Sequence, residues 1–177
     1  MLGLPQPSPP PSTLNYMHPT LKSVGCTVSL SPGSPAPDFE APTPMGGFIR
    51  LYSIARGSLV VLVFTGSLRD LAPFSRLQGE YSRLGARVVG VASVDPRRAR
   101  AAVRRLGLRV TVACDPDGRI AGAYGVAWRL GPLLRVRTTT FILDDGVVVE
   151  VLGGEGAGRQ ALRALDTLRA RLEASRG

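Results

Sequence analysis

Ser58-Leu-Val-Val-Leu-Val-Phe64, continuing into Thr65-Gly-Ser-Leu-Arg-Asp70, is the stretch whose reading decides this fold. The apolar run Leu59 to Phe64 is rich in β-branched and aromatic residues and has no polar alternation, the pattern of a strand covered on both faces, as in a parallel sheet. It is far shorter than the roughly 20 apolar residues that cross a bilayer as a helix, so no membrane span is expected. Behind it, Asp70 offers a helix N-cap and Pro73 falls in the first turn, where its missing N–H is tolerated. Leu71, Phe74, Leu77, Tyr81 and Leu84 then recur at helical spacing up to Gly85. Ala86 to Ala92 is a second buried strand. Strand, helix, strand in this order predicts a right-handed crossover between parallel strands.

Outward from this unit the signals continue. Asp95-Pro96 starts a helix, cap followed by proline, and Gly107 closes it. Val110 to Ala113 reads as a third short strand, Asp115-Pro-Asp-Gly118 as a turn, and Ile120 to Tyr124 as a short helix. Thr138 to Leu143 and Val147 to Leu152 flank Asp145-Gly146, a hairpin signal, and Arg159 to Ala174 is an amphipathic helix with Leu162, Leu165, Leu168 and Leu172 on its buried side. Upstream, Asp38 to Ala41 and Phe48 to Ile54 read as two extended segments around Gly46-Gly47. The fold class is α/β: a central mixed sheet with helices on both faces and an N-terminal β-hairpin.

With 177 residues, 44% of them hydrophobic and 20% charged, the chain fits one globular domain. Met1 to Ser12 holds five prolines and no charge. Residues 1–32 are therefore expected to be a Pro-rich extension that cannot repay its ordering entropy, and 33–177 the domain. The start lacks the basic and apolar regions of a secretory signal, and two cysteines make no disulfide framework, so a cytoplasmic location is expected. The 22 basic residues outnumber 13 acidic ones for a formal charge of +9, which raises nucleic acid as a partner. Every basic residue but Lys22 is arginine, and Arg97, Arg98, Arg100, Arg104 and Arg105 lie opposite the apolar face of their helix. A solvated amphipathic face accounts for that stripe, and nucleic acid is not the expected partner.

Whole-chain layout resembles the peroxiredoxins of the alkyl hydroperoxide reductase and thiol-specific antioxidant type, a branch of the thioredoxin-like fold. The resemblance rests on Gly33-Ser-Pro-Ala-Pro-Asp-Phe39, Leu84-Gly-Ala-Arg-Val-Val-Gly-Val91, Cys114-Asp-Pro-Asp-Gly-Arg-Ile-Ala-Gly-Ala-Tyr-Gly-Val126 and Thr139-Thr-Phe-Ile-Leu-Asp-Asp-Gly146. It implies antioxidant oxidoreductase chemistry, a homodimer and, if the protein is active, a thiol reductant of thioredoxin type, without a cofactor. The departure falls where the chemistry belongs. The family places a cysteine after the central strand, at a helix N-terminus that favours its thiolate, whereas Phe64 to Phe74 contains none.

Counting back from Leu84-Gly85 puts Ser67 at the peroxidatic position. Counting forward from Phe64 puts Arg69 and Ala72 where a thioredoxin pair would stand. Serine does not form a recoverable sulfenic acid, and the single histidine, His18, lies far upstream. Thr65, Ser67, Arg69 and Arg137, the last a counterpart of the family's active-site arginine displaced by about one position, make up a degenerate site on this reading. One histidine and two cysteines are too few for an ordinary metal site. Cys114 is either a small buried core residue, its pKa raised by Asp115 and Asp117, or a catalytic thiol with Cys26 as its resolving partner. The leading expectation is a redoxin domain without peroxidase turnover that acts by binding. A thiol oxidoreductase and a basic nucleic-acid adaptor are the alternatives.

Overall fold

The computed structural model describes residues 30–177, so the expected extension up to Ser29, with His18 and Cys26, lies outside the described residues. The elements run β1 (Glu40–Pro42), β2 (Phe48–Arg50), α1 (Leu51–Ala55), β3 (Leu59–Thr65), a 3-10 turn (Leu68–Leu71), α2 (Ala72–Arg76), α3 (Gln78–Arg83) and β4 (Ala86–Ala92). They continue with α4 (Pro96–Leu106), β5 (Thr111–Cys114), α5 (Arg119–Ala123), β6 (Ala127–Leu130), β7 (Leu133–Val136), β8 (Thr139–Asp144), β9 (Val147–Leu152) and α6 (Ala157–Ala174). The main sheet has the order β5-β4-β3-β8-β9. Strands β3, β4 and β5 are parallel, while β8 and β9 run antiparallel to their neighbours.

Strand β3 is buried from Val60 to Thr65, and its alternate residues feed two cores. Val61 and Val63 meet Leu71, Phe74, Tyr81, Ala99, Val103 and Leu165, the inner faces of α2, α3, α4 and α6. Val60, Leu62 and Phe64 meet Leu51, Ile120, Tyr124 and Phe141 on the side of α1 and α5. Both β3–β4 and β4–β5 step the same way along the sheet. Right-handed crossovers therefore put their helices on the same face, as observed. Along the outer edge of β9, Gly33 N–H donates to the Val148 carbonyl (2.8 Å) and Val148 N–H to the Ser34 carbonyl (2.9 Å).

The central strands, α4 and the late hairpin stand where the pattern puts them, with the Asp95 carboxylate accepting from Arg97 N–H (2.9 Å) and Gly107 closing α4 at φ +61°. Four local readings change. The first is the buried side of α6, which is Gln160, Ala161, Ala164, Leu165 and Leu168, while Leu162 faces solvent because it lies a quarter-turn off that stripe. Phe48 to Ile54 is extended only to Arg50; Leu51 and Ala55, four residues apart, turn helical because both then reach the core on one face. Ala127 to Val136 folds as an additional hairpin around Gly131, whose φ of +60° opens its two-residue turn. The single helix expected from Asp70 breaks into three pieces. Gly79 weakens its middle, and Asp70 leaves the capping role because its carboxylate is engaged elsewhere.

Close packing of the 3-10 turn that leads into α2 depends on Gly90. A Cβ there would lie 2.5 Å from the Leu71 Cδ1, a fully buried side chain. Gly90→Ala is expected to destabilise the domain by about 1–3 kcal/mol, read as a lower urea midpoint at unchanged slope.

Candidate functional site

The carboxyl ends of β3, β4 and β5 form one rim. Thr65 pairs with Ala92, and Ala92 with Cys114, so these three residues make a row across adjacent strands. Open α/β sheets bind ligands at such rims.

At the β3 end the rim closes into a polar corner. Thr65, fully buried, donates its hydroxyl to the Asp70 carboxylate (2.8 Å), and its oxygen accepts the Ser67 N–H (3.0 Å). The Thr138 hydroxyl donates to the same Asp70 oxygen (3.0 Å). One carboxylate thus ties the end of the central strand to the lead-in of β8, on opposite sides of the corner. Leu68, Leu71 and Phe74 bury the adjoining turn from below, so the loop is anchored by packing as well as by charge. Every hydrogen-bonding atom of this corner is oxygen or nitrogen, because the chain from Phe64 to Phe74 contributes no sulfur.

The structure brings Thr65, Ser67 and Arg69 to one end of β3 and sends Arg137 elsewhere. Ser67 and Arg69 are exposed and line a cleft of about 250 Å³ with Ser93, Ala102 and Arg105. Arg137 lines a different cleft, with its guanidinium carbon 5.7 Å from the centre of the Trp128 ring. Its neighbour Thr138 is the residue that faces the corner. Sequence reasoning missed Asp70 and Thr138 as site residues. The available signal was an acidic residue five positions after a threonine that ends a buried strand, with a second run of threonines before β8.

Cys114 ends β5, two strands from Thr65, which at the usual strand spacing is about 10 Å away. It is 2% exposed and packs with the core beneath α4. Burial, helped by the Asp95 charge, pushes its thiol up to about 11. The direction expected from the sequence holds, but the cause differs. Asp115 is occupied as a cap, its carboxylate accepting Ile120 N–H (3.2 Å) and Ala121 N–H (2.9 Å) of α5. A thiol held protonated is a weak nucleophile at neutral pH. Cys26, the proposed resolving partner, lies outside the described residues. Among the described residues no group of three or more His, Cys, Asp or Glu side chains gathers to hold a metal ion. None of the described helices is long and apolar enough to cross a membrane.

Comparison with known proteins agrees with this architecture. The model of the AhpC/TSA family matches residues 32–151. The chain is 27% identical over 149 residues to a putative peroxiredoxin, bcp, of Helicobacter pylori, covering 78% of this chain and 98% of that one. Among solved structures it is similar to the peroxidoxin BcpB of Mycobacterium tuberculosis, with a TM-score of 0.74, 27% identity, and 80% and 97% of the two chains covered. A putative thiol:disulfide interchange protein DsbE of Chlorobium tepidum aligns with a TM-score of 0.59 at 31% identity, covering 78% and 97%.

Two outcomes follow from the rim. Asp70→Ala removes the carboxylate shared by the two hydroxyls, leaving the buried Thr65 hydroxyl only the Ser67 carbonyl (3.0 Å) to donate to, and is expected to destabilise by about 1–3 kcal/mol. In a denaturation cycle, Thr65→Val then adds less on top of Asp70→Ala than alone, since the two residues share one bond. The folded Cys114 thiol keeps its proton to higher pH than the unfolded one, whose ordinary value is 9.0. Its stabilising contribution is therefore complete below pH 9 and falls away as pH rises toward about 11, because the unfolded state ionises first. Stability measured across that window is expected to fall less steeply in Cys114→Ala.

Proposed function

The chain belongs to the AhpC/TSA family, and from that premise we propose that it is a peroxiredoxin-like redoxin domain without peroxidase turnover, acting through binding at the sheet's carboxyl-end rim. The observation that carries this reading is that Ser67, which the count from Leu84-Gly85 puts at the peroxidatic position, offers a hydroxyl there, beside a Thr65–Asp70–Thr138 clamp built of hydroxyls and a carboxylate. Thiol peroxidases break the O–O bond by attack of a sulfur anion, which becomes a sulfenic acid and is recovered by a second thiol. A serine or threonine alkoxide forms no such recoverable product. A carboxylate in the corner also disfavours a nearby anion, the reverse of what the reaction needs.

The buried, protonated state of Cys114 supports the same conclusion from the other end of the rim. The competing reading keeps thiol chemistry through Cys114 with Cys26 as resolving partner. Under that reading Cys114 would have to leave the core beneath α4 and ionise. A homodimer is the assembly we expect from family resemblance, to be read by sedimentation.

The test is hydrogen peroxide consumption by the full chain with a thioredoxin-type reductant. No rate above that of free cysteine is expected, and none should change in Cys114→Ser or Cys26→Ser. A rate well above free thiol that either substitution abolishes overturns the proposal and installs the thiol enzyme in its place.

A further inference from the structure

On the α5 side of the sheet lies a second cleft, of about 520 Å³, which the polar corner does not use. Tyr124, Val126, Phe141 and Val151 give it apolar walls, and Gly153 and Gly154 leave one side without side chains. Its volume falls within the roughly 300–1,000 Å³ usual for small-molecule sites, which are likewise mostly apolar with a few placed polar groups.

Here the charged group is Arg137. Its N–H donates to the Val126 carbonyl (2.8 Å), and its carbonyl accepts the Thr139 hydroxyl (3.0 Å), so the root of the side chain is held in place. The guanidinium lies over the Trp128 indole, 5.7 Å from its centre. A cation–π contact of this kind restrains the guanidinium and leaves its N–H groups able to meet a planar anion. Among the described residues no carboxylate lies within ion-pair distance of Arg137, whereas Arg50, Arg83 and Arg171 each have one and Arg163 and Arg169 two. An apolar cleft with one anchored, uncompensated cation at its rim is complementary to a molecule with an apolar body and one anionic end.

We propose that this cleft binds a small monocarboxylic acid, with its carboxylate on Arg137 and its apolar body along Tyr124, Val126, Phe141 and Val151. The site stands independently of whether the corner turns over peroxide, and its test reads binding alone.

Trp128 is the single tryptophan of the chain, so its emission reports on this cleft. The full chain is titrated with decanoate and, separately, with decanol, both below the concentrations at which they self-associate. Decanoate is expected to give a saturable change with an affinity about tenfold higher than decanol, the size of one charge-assisted contact. Arg137→Gln should weaken decanoate about tenfold, leave decanol unaltered, and leave the urea midpoint where it was. Gly153→Val should remove both responses. Gly153 lies outside the left-handed region, and its added Cβ would meet Thr139 at 3.8 Å, an ordinary contact, so that side chain enters the cleft without straining the backbone. Equal affinity for acid and alcohol, an unchanged decanoate affinity in Arg137→Gln, or no response at all, as from a cleft already filled by the chain before Leu30, overturns the proposal.

Discussion

Strand β3 has neither a solvent face nor a free edge, and the rest of the domain is arranged to satisfy it. Parallel β4 takes one row of its backbone groups and antiparallel β8 takes the other. Its side chains alternate into two separate cores, so each face needs its own cover of helices. An apolar strand of this kind, left uncovered, would expose both unpaired backbone and a continuous hydrophobic surface. Covering one face with α2, α3, α4 and α6 and the other with α1 and α5 fixes which strand ends share a rim.

That rim is where the proposed loss of thiol chemistry rests. The strand ends in Thr65, whose side chain is fully buried, and a buried hydroxyl needs a partner. Asp70 supplies it and accepts Thr138 at the same time, so the loop braces two parts of the sheet and, on the function proposed above, mounts no reactive thiol. The two roles conflict electrostatically. An arrangement that stabilises a carboxylate between two hydroxyl donors does not also favour a second anion beside it. Cys114, although on the same row of the sheet, is drawn into the core by its neighbours on α4 and kept neutral there.

Much of the architecture was legible because its signals are local and mutually consistent. The β-rich run from Leu59, the Asp95-Pro96 start with Gly107 as its stop, and the Asp145-Gly146 turn each state one element, and their order leaves few topologies. The Phe48–Ile54 segment misled because aromatic and β-branched residues suit a strand locally, whereas the core contacts of Leu51 and Ala55 are a tertiary matter. The β6–β7 hairpin was hidden because Trp128, Leu130 and Leu133 are exposed and give no inward alternation to read. At the site, the lack of a cysteine from Phe64 to Phe74 is plain in the sequence. The clamp is not, since Asp70 and Thr138 are far apart in the chain and meet only once β3 and β8 pair.

The segment Gly33 to Ala36 along β9 has a bearing on how copies of this chain can associate. With the Val148 N–H and carbonyl both hydrogen-bonded to that segment, and Ala36 N–H donating to the Gly146 carbonyl (2.9 Å), the start of the sheet's outer border, from Gly146 to Val148, is already occupied by the protein's own backbone. A neighbouring molecule cannot pair with that stretch of β9 without first peeling this strap away, which would expose the donors and acceptors it now satisfies. Self-assembly through side-chain surfaces keeps the strap in place, and so the strap steers contacts between copies away from backbone zippering on that flank.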